Sequence, residues 1–301
     1  MKSLKDRYDG ERVFLVGNGP SIDKTPLDKL NDEYSFGLNK INDIYADFDW
    51  RPSFYALLVD ELEEIGSKYL LENLNQGIDC ITLGKFKPEF GEISNLHYIK
   101  KVKLKDNETE FGKNFHSLKK SEIKTMDIQN LYKYWPTDVF DTVYTYHSMY
   151  AIIQMSVHMG FDEIYLVGCD LGYGYHNPHM IFEDGLDPYK TNNNRLSFLL
   201  ESYQGDAFFK SLANGILAQI LSSSLGSVVG TVIDYFNTLD DSNRFDTYSQ
   251  LQPEDLSHVN REMTKSHIAA KRIASDKGIS IYNATVGGNL EVYPRVSLEK
   301  I

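Results

Sequence analysis

An apolar run, Val13-Phe14-Leu15-Val16, feeds directly into Gly17-Asn18-Gly19-Pro20-Ser21. No other stretch of the chain constrains its fold as strongly. A short unbroken apolar segment that stops at a Gly-x-Gly turn reads as a buried parallel strand ending in a tight loop. Gly17 and Gly19 remove the side chains that would block close approach of backbone amides to a phosphate. Asn18 adds an amide that both donates and accepts. Pro20 and Ser21 interrupt the dinucleotide fingerprint, and Ile22 stands where its third glycine belongs. The loop therefore predicts a nucleotide-binding crevice at the first strand of an α/β fold, without the dehydrogenase signature.

The rest of the chain repeats the strand–helix rhythm that such a fold needs. Strands are expected over 12–16, 34–39, 53–59, 79–83, 97–101, 163–167 and 279–282. A short helix is expected over 26–30. A longer one is capped by Asp60, with Glu61, Glu63 and Glu64 in its first turn. Helical periodicity covers 147–159, stopped by Gly160, and 260–277, stopped by Gly278. Segments 85–91 and 105–134 read as loop-rich, and the basic stretch 100–105 reads as a solvated strand edge. The fold class is thus α/β, a Rossmann-like and mostly parallel sheet flanked by helices. Residues 1–170 and 251–301 form its nucleotide-binding core, and 171–250 is a helical insertion, or lid, before the last helix–strand unit.

Strand ends that carry polar residues recur at Asn18, Asn39, Asp60, Asp170 and Asn283. Open α/β sheets bind ligands beyond the carboxyl ends of their strands, so these five are candidate nucleotide contacts. Each taken singly also reads as a cap or turn former. Asp47-Phe48-Asp49 has the form of a metal-binding acidic dyad but precedes a strand, and reads as a turn. His176 and His179 flank Pro178 without further ligands at suitable spacing. His258, just before the predicted 260–277 helix, is the candidate general base, since imidazole can take a proton near neutral pH. There is no Walker loop and no nucleophile elbow, which removes the common ATPase and hydrolase readings.

Charge sets further bounds. Thirty-one basic against 43 acidic residues leave a formal net charge of −12. That argues against sequence-independent nucleic-acid binding, which needs clustered Lys and Arg. Cys80 and Cys169 sit far apart in apolar runs and read as buried hydrophobes rather than a disulfide. With no apolar leader near residue 1, a cytoplasmic location is expected. Residues 211–233 carry no charge, about the length of a membrane span, but Asn214, Gln219 and four serines interrupt them. They are expected to form a buried lid, a homo-oligomer contact or a membrane-surface contact on the inner face.

Gly17-Asn18-Gly19-Pro20-Ser21 resembles the opening motif of the bacterial sialyltransferases that use CMP-activated sialic acid, and of the related MptE-like 6-hydroxymethylpterin diphosphokinases. Leu38-Asn39 and the run from Met159 to Asp170 are similar to later motifs of both groups, and Ser257-His258 resembles the Ser-His that supplies the sialyltransferase general base. Tyr282-Asn283-Ala284-Thr285 and the run from Gly287 to Val296 look MptE-like. The resemblance implies that Gly17, Asn18, Gly19, Pro20, Ser21 and Asn39 meet the nucleotide's phosphate and ribose. It places Ser148 near a sugar carboxylate, His258 at the acceptor hydroxyl, and Tyr173 and Tyr175 at the departing phosphate. Thr145 replaces an arginine of the sialyltransferase pattern, and the segment between Asp170 and His258 is longer than in those enzymes. Three readings follow. The lead is a glycosyltransferase, needing no metal, that moves an acidic sugar from a CMP-type donor to a surface-glycan acceptor. The alternative is a diphosphokinase that uses ATP and Mg2+, with Asp60 and Asp170 as metal ligands. The third is a non-catalytic nucleotide-binding or assembly protein.

Overall fold

A computed structural model describes residues 2–59, 63–103, 115, 117–136, 139, 142–145, 147–171 and 253–301. The expectations for Asp60, Tyr173, Tyr175, His176, His179 and residues 211–233 lie outside the described residues. Among the described residues, eight strands form one parallel sheet. They are β1 (Arg12–Val16), β2 (Ser35–Leu38), β3 (Phe54–Leu57), β4 (Asp79–Leu83), β5 (Leu96–Lys103), β6 (Thr142–Thr145), β7 (Glu163–Val167) and β8 (Ser280–Asn283). The spatial order is β6-β5-β4-β3-β2-β1-β7-β8. Every residue of β2 and β3 is buried, and so are the last four of β1 and β7. That is why these strands read as unbroken apolar runs rather than alternating ones.

The topology creates one reversal. From β1 to β6 the chain adds strands on one side of β1, then returns to lay β7 and β8 on the other. β1 pairs with β2 from Phe14↔Ser35 and with β7 from Arg12↔Glu163. The crevice between the carboxyl ends of β1 and β7 is therefore the switch point, where helices on opposite faces leave the sheet edge open.

Among the described residues, six α-helices accompany the sheet: α1 (Glu63–Asn75), α2 (Lys87–Phe90), α3 (Lys120–Thr125), α4 (Ile128–Leu131), α5 (Ser148–Met159) and α6 (Pro253–Asp276). α5 packs on β1 and β2 and is buried on nearly all sides, from Met149 to Ser156. It ends at Gly160, whose φ of +94° suits glycine. α5, β1, β4 and β7 agree closely with the sequence expectation, and a helix follows β3 as expected, with its capping residue outside the described set.

Three expectations need correction. The stretch 100–105 is not a solvated edge through its described part. The first half of β5 pairs with β4, up to Leu83↔Ile99, and the second half with β6, from Lys100↔Thr142. β5 thus outruns β4 at the carboxyl edge and carries β6 there. Lys101 Nζ donates 2.9 Å to the carbonyl of Leu58, just past β3. The segments expected to be loop-rich contain α2, α3 and α4, all too short for a periodic signal. Finally, α6 begins at Pro253 rather than Asn260, so His258 lies inside the helix and not before it. Proline at the first helical position, followed by Glu254 and Asp255, is a start signal independent of apolar periodicity.

α6 is long for its partner strand. Its 24 residues span about 36 Å, against about 13 Å for the four residues of β8. It leads into β8 through a tight turn at Gly278, whose φ is +79°. The amino-terminal half of α6 therefore extends past the carboxyl edge of the sheet.

Candidate functional site

The Gly-Asn-Gly-Pro-Ser loop and the segment Gly168-Cys169-Asp170 meet at the switch point. Gly17 N donates to Val167 O at 2.8 Å and Gly19 N to Gly168 O at 2.9 Å. Ser21 donates twice to Asp170 Oδ2, from its backbone N at 3.2 Å and from Oγ at 2.8 Å. Three amides expected to face a phosphate are thus spent on the neighbouring loop. The glycines instead let two backbones touch. A Cβ on Gly17 would lie 2.7 Å from Gly168 O, and one on Gly19 would lie 1.9 Å from Asp170 Oδ2.

Asp170 is 5% exposed. Burial pushes its carboxyl up to about 6, against the opposing pull of the Ser21 hydrogen bonds. Its Oδ1 is buried with no hydrogen-bond partner. The next residue, Leu171, has a φ of +50°, a left-handed conformation that costs a branched side chain energy and concentrates at functional sites.

Asn18 donates through Nδ2 to Leu38 O at 3.0 Å, tying the β1 loop to the end of β2, while its Oδ1 is buried without a partner. Asn39 also adopts a left-handed φ, +50°. Its Oδ1 accepts from Leu58 N at 3.0 Å and its Nδ2 donates to Ser148 Oγ at 3.1 Å. Tyr55 donates its hydroxyl to Asn39 O. The structure thus brings Asn39 and Ser148, two of the expected site residues, into direct contact at the carboxyl edge.

Asn283 is fully buried and committed to its own loop. Its Nδ2 donates to Leu290 O at 2.7 Å, and its Oδ1 accepts from Thr285 N at 3.0 Å. These bonds fold residues 284–296 back over the ends of β7 and β8. Thr285 Oγ1 accepts from Cys169 N at 3.0 Å, and Asn289 N donates to Asp170 O at 2.6 Å. Gly288 has a φ of +71°, and a Cβ there would lie 2.8 Å from Asp170 Cα. Arg295 clamps the loop by donating to the carbonyls of Thr285, Gly287 and Gly288. Asn289 was not singled out by the sequence reading. It is 7% exposed and its Nδ2 is buried without a partner. The signal for it was the run from Gly287 to Val296, read for its MptE-like pattern without a role for Asn289.

Next to Ser148 lies a partly buried polar contact between α5 and α6. His147 caps α5, its Nδ1 accepting from Tyr150 N at 3.3 Å. The proton therefore sits on Nε2, which donates to Ser266 Oγ at 2.8 Å. The ring of His267 lies 4.7 Å from that of His147, and its Nδ1 is 3.0 Å from the hydroxyl of Tyr293. Burial, reinforced by His147, holds His267 well below the ordinary histidine range. On the same helix Lys265 and Glu262 form a 2.5 Å ion pair, 5% and 2% exposed. His258 belongs to this helix, but its side chain lies outside the described set.

A second concavity, lined by Glu11, Arg12, Asp32, Glu33 and Glu163, opens at the amino ends of β1, β2 and β7. It is remote from the switch point and holds none of the expected residues. Among the described residues no three His, Cys, Asp or Glu side chains are grouped to hold a metal. Among them, too, no helix is long and apolar enough to cross a membrane. Cys80 and Cys169 are free thiols.

No protein-family model and no curated protein matches the sequence. Two solved structures resemble the chain. One is the MAf glycosyltransferase from Magnetospirillum magneticum AMB-1, at a TM-score of 0.41 and 14% identity. That match covers 99% of this chain, which spans 37% of the other's length. The second is the sialyltransferase CstII from Campylobacter jejuni, solved with cytidine-5'-monophosphate, at a TM-score of 0.32 and 16% identity. It covers 64% of this chain and 75% of that one. Likeness at this level assigns no residue.

Proposed function

We propose that this chain is a nucleotide-dependent transferase whose site is the carboxyl edge at the β1–β7 switch point. One observation carries the reading. Loops from β1, β7 and β8 converge there and leave Asn18 Oδ1, Asp170 Oδ1 and Asn289 Nδ2 buried without partners. Such atoms are costly, at about 1–3 kcal/mol each, unless a ligand or ordered water completes them. Two left-handed residues that are not glycine, Asn39 and Leu171, flank the same edge.

In the lead form, the donor is a CMP-type sugar nucleotide carrying an acidic sugar, and the acceptor is a surface glycan. His258, on the part of α6 that overhangs the edge, takes the proton from the acceptor hydroxyl as that oxygen attacks the anomeric carbon. Tyr173 and Tyr175 donate hydroxyls to the departing phosphate. No metal is needed in this scheme. The diphosphokinase form draws support from the unpartnered Asp170 Oδ1, an oxygen that could meet Mg2+.

A thermal-shift panel of CMP, CDP, UDP, GDP and ATP, with and without Mg2+, tests the reading. A nucleotide at one hundred times its dissociation constant adds about 2.7 kcal/mol. Stabilisation by a cytidine nucleotide without metal supports the lead form. Strict dependence on Mg2+ with ATP supports the diphosphokinase, and no response from any nucleotide rejects both. In the lead form, His258→Ala abolishes sugar transfer while nucleotide binding survives.

A further inference from the structure

The three unpartnered atoms have a donor–acceptor pattern, and that pattern excludes one part of a nucleotide. Asn18 Oδ1 and Asp170 Oδ1 accept hydrogen bonds, and Asn289 Nδ2 donates one. A phosphate at pH 7 offers only acceptors. It would face a carboxylate oxygen and an amide oxygen with nothing to give them. The amides that could have served it, on Gly17, Gly19 and Ser21, are already bonded to the β7 side. A group that presents two donors and one acceptor completes all three atoms. Two parts of a nucleoside do this: the amino edge of a cytosine-type base and the vicinal diol of ribose. The lactam edge of uracil, with one donor between two acceptors, does not.

The placement is built rather than incidental. Asp170 and Asn289 are 5% and 7% exposed. Asn289 is fixed to Asp170 by the 2.6 Å bond from its own amide. Gly288 admits no side chain between them. Asn283 and Arg295 hold the loop shut from behind. The Asp170 side chain faces the β1 loop through Ser21, while its backbone faces the β8 loop through Asn289. Asp170 thus links the β1 loop, which carries Asn18, to the β8 loop, which carries Asn289.

We propose that Asn289, together with Asn18 and Asp170, reads the uncharged nucleoside part of the nucleotide, and that Asn289 sets its selectivity by donating to an acceptor on that group. This rests on the nucleotide-binding reading above and makes the C-terminal loop a part of the site. The phosphates then lie away from this junction.

The test measures dissociation constants of CMP, UMP and 2'-deoxy-CMP for wild type, Asn289→Ala and Asn289→Asp, by calorimetry. If the base fills the site, wild type prefers CMP to UMP at least tenfold and ignores the 2'-hydroxyl. If the diol fills it, CMP and UMP bind alike and 2'-deoxy-CMP binds at least tenfold more weakly. In both cases Asn289→Ala reduces that discrimination to within twofold. Asn289→Asp, which keeps the side chain's size but puts acceptors where the donor was, weakens CMP at least as much. Melting curves without ligand show whether either variant keeps the fold, and either folded variant suffices. Nucleotide binding with equal affinity for all three ligands, or discrimination that survives in both variants, overturns the inference while leaving the transferase reading standing. Failure of every nucleotide to bind wild type overturns both.

Discussion

Asp170 sits where two loops need a hydrogen-bond acceptor and where water cannot reach the charge. Its folded carboxyl titrates at about 6, while a carboxyl in the unfolded chain titrates near 4. Between those values the folded protein holds a proton that the unfolded chain has released. Stability therefore falls as pH rises from about 4 to about 6, by up to about 3 kcal/mol. Asp170→Asn should remove that loss. Its stability relative to wild type should rise across this window and level off above it, in urea unfolding at pH 4.5, 5.5 and 7.5. Parallel curves would contradict the assignment. Gly19 acts through space rather than charge. A Cβ would strike Asp170 Oδ2, so Gly19→Ala should cost about 1–3 kcal/mol and weaken nucleotide binding. This steric demand was legible in the sequence only as a glycine beside a strand end. What stood opposite it was not, because Asp170 is 149 positions from Ser21.

At the scale of elements, the α5–α6 contact carries the opposite pH sign. His267 is buried neutral, while the unfolded histidine titrates near 6.5. As pH falls below that value the unfolded chain binds a proton that the fold refuses. Stability is then lost at about 1.4 kcal/mol per pH unit. His147 and Tyr293 are the polar groups that its ring meets. His267→Gln should flatten the acid limb between pH 6.5 and 5, read from urea midpoints. The C-terminal loop is a second such unit. Arg295→Ala removes its three carbonyl contacts, and amide exchange at Gly287–Asn289 should speed at least tenfold with β1 unchanged. The boundaries of β1, β4 and β7 were readable because each is a compact apolar run. β6 was not, because Thr142–Thr145 holds its place by pairing with the overhanging half of β5. The first turns of α6 were missed because they carry start signals without an apolar stripe.

For the whole molecule, the proposed nucleotide site lies at the reversal of strand order. Hydrogen exchange with and without a bound nucleotide should show protection at 17–21, 168–171 and 284–290. The acidic concavity at the opposite edge, around Glu11, Asp32 and Glu33, should show none. Protection there instead would move the site to the wrong end of the sheet. The α/β class and most strand positions followed from the sequence by itself. Burial on both faces writes a parallel strand as a local apolar run, and a Gly-x-Gly turn is local too. Asn18, Asn39, Asp170 and Asn283 were picked out for the same reason, as polar residues at the ends of such runs, and Ser148 by the family resemblance. What each one touches was decided only by tertiary structure. The glycine amides turned out to be bonded across the switch point, Asn283 to serve its own loop, and Asn289 to complete the junction. Those outcomes depend on which strand lies beside β1. Strand order is a global property, settled by how helices cover the sheet rather than by any segment's own pattern.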